Sequence, residues 1–439
     1  MKKITLLMLF LSFTQIGLPQ FVTMPLNYPY DSTSYQSWWT SIVDANTVWV
    51  GTARRTLHQG YIAYSKAVKT TDSGNTWEFD SIPVPGDPWI QDLSAWDANT
   101  CYYLFTDGVT YGGAVWKTTN GGTTWSKKTT TQFTGGWGDF INAFSADTCI
   151  AVGDPTGGYF EVQLTYDGGN TWTRVPSSDI PAALTGETGT SATYCTVGNS
   201  IWFPTSKGRC FRSTDRGQHW TATLVVNAGI LLCFTDTLNG IAFEPGVSTV
   251  FYKTTDGGST WTNYPTNSKF SFWNMSRVPG IYGGYIATSY DTSKMSIYFT
   301  PDFFTTIIKI DSNITNASFI NFKSPTIGWI GGSYYPYDNI HKFIGVLTSV
   351  AEKRKDNETM QIIPNPSNRE ALIKFSQKWI SGNTILKIMD VTGKNVFEKN
   401  VDTSTGWIKI DASSYKSGVY FIEVISPNGI TCQRWIVQH

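Results

Sequence analysis

One eight-residue pattern, [Ser/Thr]-x-[Asp/Asn]-x-Gly-x-Thr-Trp, constrains this chain more than any other feature. It reads TTDSGNTW from Thr70 to Trp77, TTNGGTTW from Thr118 to Trp125 and TYDGGNTW from Thr165 to Trp172. It returns as STDRGQHW from Ser213 to Trp220 and TTDGGSTW from Thr254 to Trp261. A sixth copy, TPDFFTTI from Thr300 to Ile307, lacks the Gly and the Trp. The acidic or amide position falls at Asp72, Asn120, Asp167, Asp215, Asp256 and Asp302, every 41 to 48 residues. Such a side chain accepts hydrogen bonds from backbone N–H groups of its own turn, and the Gly takes a positive φ. Trp77, Trp125, Trp172, Trp220 and Trp261 then open the next strand and are expected to pack into the blade. All these residues read as structural.

A period of this size is that of one four-stranded propeller blade. Before each copy lies an apolar strand, a short turn and a second apolar strand, as in SIVDANTVWVGT from Ser41 and AFSADTCIAVGD from Ala143. Further pairs precede the other copies, and FINFKSPTIGWIGG from Phe319 has no copy after it. The count is seven blades over residues 22–348. Whether Phe21 to Pro29 supplies an outer strand that closes the ring is open at this level. The expected fold is all-β: a seven-bladed β-propeller followed by a small Ig-like β-sandwich. Aromatic residues at 15% and 40 glycines suit short strands and tight turns. No long stretch repeats at the helical period.

The repeated turn resembles the Asp-box, or BNR repeat. Asp-box propellers include sialidases, the Ycf48-type photosystem assembly factors and the sortilin-type receptors. The sialidase resemblance implies an arginine triad, one member in an Arg-Ile-Pro motif. This chain has no Arg-Ile-Pro, and its early arginine pair is Arg54-Arg55. The other two families imply a binding protein.

Strands alternate in direction across a blade, so the Asp-boxes share one end of the propeller with the turns between the first and second strands. The other end carries the loops between second and third strands and the links between blades. By analogy with other propellers, ligands meet that end at the channel mouth. The pattern places Arg54, Arg55, Asp107, Asp154, Glu244 and Tyr334 there on loops, and Trp137, Asp139, Glu187 and Trp273 on links. Aromatic faces with carboxylates and arginines suit sugars or peptides. Asp139, Asp154 and Glu187 fall in neighbouring blades, so an extracellular carbohydrate-active enzyme, a paired-carboxylate glycoside hydrolase or a lyase, is the alternative to a plain binding module. The chain has no H-E-x-x-H, G-x-S-x-G, Walker A or G-x-G-x-x-G motif. No metal or cofactor is expected; a propeller channel has room for Ca²⁺, but no D-x-D-x-D-G loop points to it.

The chain begins with Lys2 and Lys3 and an apolar run from Ile4 to Phe13, too short for a bilayer span. Residues 1–20 therefore read as a signal peptide. Residues 349–360 are charge-dense and read as a linker. Residues 361–439 read as a sandwich of alternating apolar strands. Its elements IIPNPSN (Ile362 to Asn368), ILKIMDVTGKNVF (Ile385 to Phe397) and SSYKSGVYFIEV (Ser413 to Val424) resemble the type A sorting domain of the type IX secretion system. That resemblance implies a Bacteroidota-type host, passage through the periplasm and the secretion machinery as a partner. It also implies an extracellular or outer-membrane-surface location. Lys+Arg and Asp+Glu balance at 33 each, which argues against a nucleic-acid partner. Six cysteines without C-x-x-C spacing disfavour zinc. Cys195 and Cys210 could bridge neighbouring strands of one blade; buried free thiols are the other reading. The expected function is an exported binding or scaffold propeller with a glycan or protein ligand.

Overall fold

The computed structural model describes residues 20–26, 35–55, 61–84, 88–106, 112–129, 132–133, 136–246, 250–265, 271–291, 294–311, 314, 317, 319–331, 339–348, 360–375, 384–391, 394–426 and 429–439. The signal-peptide and linker readings, and the loop positions Asp107 and Tyr334, lie outside the described residues. The chain divides into two compact units, Met1–Ser349 and Val350–His439.

The first unit is a seven-bladed propeller of four-stranded antiparallel sheets. Its inner strands are Tyr35–Ile42, Trp89–Ala95, Gly138–Ala143, Cys195–Val197, Leu231–Phe234, Phe272–Arg277 and Phe319–Ser324, which number blades 1 to 7. Six blades are built from consecutive strands. Blade 7 takes its outer strand from the other end of the unit: Phe21–Pro25 pairs antiparallel with Asn339–Phe343. This closes the ring and covers the edge that Asn339–Phe343 would otherwise present. It also explains why blade 7 has no copy of the repeated motif. Its third and fourth strands are not joined by a turn.

The motif forms the turn between third and fourth strands of blades 1 to 6. In blade 1, Thr70 Oγ1 accepts from Gly74 N at 2.8 Å, and Asp72 Oδ1 accepts from Thr76 N at 2.8 Å. Thr76 Oγ1 donates to Asp72 Oδ2 at 2.6 Å. Gly74 has φ +89°, which a side chain rarely adopts. The degenerate copy keeps the same bonds: Phe304 N donates to Thr300 Oγ1 at 2.8 Å and Thr306 N to Asp302 Oδ1 at 2.7 Å. Phe304 holds φ +63° without being Gly. Its buried ring packs between Phe251 and Phe272, and that burial offsets the strain. In every copy the turn docks on the first hairpin of its own blade, as with Ser73 N to Asn46 O at 2.9 Å. Both sets of turns therefore lie at one end of the propeller, the turn end.

The motif tryptophans do more than fill their own blade. Trp77 meets Trp329 of blade 7 edge-on at 6.0 Å, and Trp125 meets Trp49 of blade 1 at 6.3 Å. Trp172 Nε1 donates to Lys128 O of blade 2. Trp125 also meets Tyr103 of its own blade at 5.2 Å, and Trp220 and Trp261 face aromatic rings of theirs. The residue before several copies also crosses a seam. Lys69 Nζ donates to Gly121 O, Lys117 Nζ to Ala146 O, and Arg212 reaches Ser259, each in the following blade. Lys253 Nζ lies 4.0 Å over the Phe303 ring.

The second unit is a two-sheet sandwich. One sheet has Met360–Ile363, Glu370–Phe375 and Trp407–Asp411; the other has Asn395–Val401, Thr384–Asp390, Gly418–Ser426 and Gly429–Val437. Ile373, Leu386, Ile388, Ile422, Val424 and Trp435 fill the space between. The turn at Pro364-Asn365-Pro366 is tied to the last strand. Asn365 Oδ1 accepts from Ile436 N at 2.8 Å, and Trp435 Nε1 donates to Ser367 Oγ at 2.9 Å.

All six cysteines are thiols in this structure. The bridge contemplated between Cys195 and Cys210 does not fit the blade. Cys195 pairs with Trp202, and Cys210 pairs with Pro204 on the same strand's far side. One strand lies between them, which separates first from third strand by about 10 Å. That exceeds the reach of a disulfide.

Candidate functional site

The inner strands surround a channel of about 1110 Å³. Its wall mixes apolar groups with amides and hydroxyls, among them Asn142, Asn274, Asn321, Ser94 and Thr40. Four inner strands carry a bulge at matching positions, where the register skips Trp38, Gln91, Asp139 and Trp273. A bulge re-aims the extra side chain. Here it does so at the start of the inner strand, the link end of the channel.

The extra residues behave differently. Trp273 lines the channel and is 51% exposed; it covers Gly246, where a Cβ would lie 2.7 Å from the ring. Gln91 is buried and its Oε1 accepts from Ser191 Oγ at 2.7 Å. Asp139 is buried, and its Oδ2 has no hydrogen-bond partner among the described residues. Just before two of the bulges, Trp89 (40% exposed) and half-buried Trp137 meet in a T-shaped pair at 5.4 Å. Trp137 O also accepts from Asp154 N at 2.7 Å.

The link over residues 175–194, between blades 3 and 4, ties three blades together at this end. Val175 and Ile180 anchor it in the core. Ala183 N donates to Gly158 O, Ser206 N to Thr188 O, and Ala192 N to Asp139 O. Glu187 is its polar anchor. Its carboxylate takes two hydrogen bonds from the Arg209 guanidinium, one from Thr205 Oγ1 at 2.6 Å and one from Leu184 N at 2.9 Å. Burial opposes its ionisation, but these donors prevail and hold it below its ordinary range.

Gly189 passes directly over the carboxyl pair of blade 3. Its N–H donates to Asp154 Oδ1 at 2.9 Å, and a Cβ there would fall 2.0 Å from Asp139 Oδ2. No other residue fits that approach. Burial pushes Asp139 well above the carboxylate range, and Asp154 adds to it. Asp154 is itself raised by burial against the help of the Gly189 N–H. The structure thus brings Asp139 and Asp154 together on paired strands of one blade, not on neighbouring blades as the sequence pattern suggests, under the link and outside the channel wall. Glu187 stands apart, in its ion pair.

The other predicted residues do not join them. Arg54 and Arg55 end the strand Val48–Arg55, and their side chains lie outside those described. Glu244 follows the strand Gly240–Phe243 and is half-buried. Among the described residues, no group of three or more His, Cys, Asp or Glu could hold a metal ion. Sequence reasoning missed Asp92, the carboxyl that does line the channel. Burial pushes it up to about 8, although Ile141 N and Leu93 N stabilise its anion. Its signal was a lone acid inside the apolar strand Trp89–Ala95.

Residues 361–438 match the secretion system C-terminal sorting domain. A chain carrying this domain is secreted or held at the cell surface, and the domain implies contact with the secretion machinery. No helix among the described residues is long and apolar enough to cross a membrane. A xyloglucanase of Acetivibrio thermocellus is 29% identical over 103 residues, covering 24% of this chain and 12% of the relative. The chain thus matches a small part of that enzyme's length. The solved structure titled "YCF48 bound to D1 peptide" aligns with a TM-score of 0.55 at 15% identity, over 74% of this chain and 97% of that one. YCF48 from Cyanidioschyzon merolae aligns with a TM-score of 0.54 at 16% identity, over 74% and 98%. At such identities the likeness concerns the fold.

Proposed function

We propose, from the premise of an exported chain with a sorting domain at residues 361–438, that the propeller is a binding module whose ligand meets the link end of the channel. We read its repeated turns as Asp-boxes that brace the blades and touch no ligand. One observation carries the reading. At the link end the tryptophans Trp89 and Trp273 stand open, while Asp139 is buried beneath the link and Glu187 within it. Open, rigid indole faces suit flat apolar surfaces, such as sugar rings or the side chains of an extended peptide. The fold shared with a structure titled as peptide-bound is compatible with this.

A second reading, an extracellular glycoside hydrolase, draws support from the xyloglucanase match and from the raised carboxyls Asp139 and Asp154. A glycosidase needs two carboxyls on either side of an open sugar site. Asp139 sits beneath Gly189, so the pair is closed to a substrate in this conformation.

One experiment separates the two. The full chain is incubated with xyloglucan and with a panel of other polysaccharides and peptides, reading both thermal shift and new reducing ends. The binding account expects a raised melting temperature with one of these and no new reducing ends. New reducing ends that vanish in Asp154→Asn would establish the hydrolase.

A further inference from the structure

Two of the five buried thiols are neighbours, and they sit on different blades. Cys195 opens the inner strand of blade 4, and Cys233 lies in the inner strand of blade 5. Both belong to the same core cluster. Phe234 N donates to Cys195 Sγ at 3.2 Å. That nitrogen is two bonds from the Cys233 Cα, which puts the Cys195 sulfur within about 6 Å of it. The seam here is tightly packed, with Trp202 of blade 4 stacked on Phe234 of blade 5 at 4.0 Å. The neighbouring Cys233 thiol and the Arg277 charge hold Cys195 down to about 7, while Cys233 is pushed up.

We infer that Cys195 and Cys233 form a disulfide in the exported protein, stapling blade 4 to blade 5. The two thiols lose two protons and two electrons. An exchange partner that carries a disulfide, an oxidoreductase of an oxidising compartment, accepts both and becomes a dithiol. Because both sulfurs are buried in the folded unit, exchange takes place before blades 4 and 5 close on each other. The staple then encloses the whole of blade 4. Export past the inner membrane, implied by the sorting domain, supplies the compartment in which such a bond persists.

Cys101 and Cys149 are buried and open the second strands of blades 2 and 3. Cys432 lies in the sandwich.

The test uses the full chain secreted by its host. It is unfolded without reductant, alkylated with iodoacetamide, digested and mapped by mass spectrometry. The inference expects a linked peptide pair containing Cys195 and Cys233, lighter by two hydrogens than the separate peptides, with the other cysteines alkylated. Alkylation of both Cys195 and Cys233, or a link from either to a different cysteine, overturns it. A melting curve gives an independent reading. Dithiothreitol should lower the melting temperature of the wild type by roughly 5–10 °C and leave the Cys195→Ala/Cys233→Ala variant unmoved. An equal fall in both proteins would also overturn it. If the variant does not fold, the peptide map on the wild type decides alone.

Discussion

The two ends of the propeller treat their carboxylates in opposite ways. At the turn end, Asp72, Asp167 and Asp256 lie at the surface and are held down to about 2 by threonine hydroxyls and backbone N–H groups of their own turn. At the link end and in the channel, burial raises Asp139, Asp154 and Asp92. Glu187 is the exception there, and Arg209 is the reason. The difference follows from how each end is built. A repeated turn satisfies its acid within a few residues, so every blade can copy it. The link end is assembled from three blades at once, and its acids meet whatever the neighbouring blades provide. The turn end braces the ring; the link end is free to differ from blade to blade, as the proposed ligand-binding end must.

This contrast has a stability consequence that can be broken by mutation. The largest expected effect lies in the shared bracing near the turn end. Trp202 is fully buried, stacks on Phe234 and donates its Nε1 to Gly257 O of the next blade at 2.8 Å. Trp202→Ala should cost about 3–5 kcal/mol in denaturant unfolding of the propeller. Trp172, by contrast, is half-buried, and its truncation should cost less. Equal losses at the two positions would mean that the seam is not the main brace.

The next effect is a pH dependence. Asp92 is raised in the folded chain, so the folded state holds more protons than the unfolded one between about 4 and 8. Stability from this group is therefore present at low pH and lost as pH rises through that window. The turn-end aspartates have the opposite sign: their contribution is present above about 4 and lost between about 4 and 2. Asp92→Asn should gain melting temperature over the wild type as pH goes from 5 to 9, with no added difference between pH 4 and 2. Parallel curves from 5 to 9 would show that Asp92 is not a buried neutral acid.

The smallest effect compares two copies of one glycine. Gly258→Ala meets ordinary contacts at 3.4 Å, so only its φ of +92° is penalised, by about 1–2 kcal/mol. Gly74→Ala adds a contact at 2.8 Å with the Trp329 ring and should cost more. Matching values from chemical denaturation would show that blade 1 can shift to admit the methyl.

Much of this architecture was legible in the sequence, and the parts that were not share a cause. The turns could be read because Thr70, Asp72, Gly74 and Thr76 bond among themselves. The closing strand Phe21–Pro25 pairs with residues more than three hundred positions away, and no local pattern marks it. The strand Asn395–Val401 is exposed along nearly its whole length, so it shows no apolar alternation. Lys69, Lys117 and Arg212 did leave a signal, a basic residue directly before the motif. Its purpose appears only when the next blade is in place. At the link end the residue types were visible, but Asp139 looked like a surface acid until Gly189 was seen to cover it.

The most direct test of the link end as the binding end compares two exposed tryptophans at opposite mouths of the channel. Trp273 opens at the link end, and Trp96 follows the inner strand of blade 2 at the turn end. Each is changed to Ala in the full chain, and affinity is measured for whichever polysaccharide or peptide raises the melting temperature of the wild type. The account predicts a loss of roughly 10-fold or more for Trp273→Ala and little change for Trp96→Ala. Loss at Trp96 with Trp273 silent would place the ligand at the turn end and contradict it.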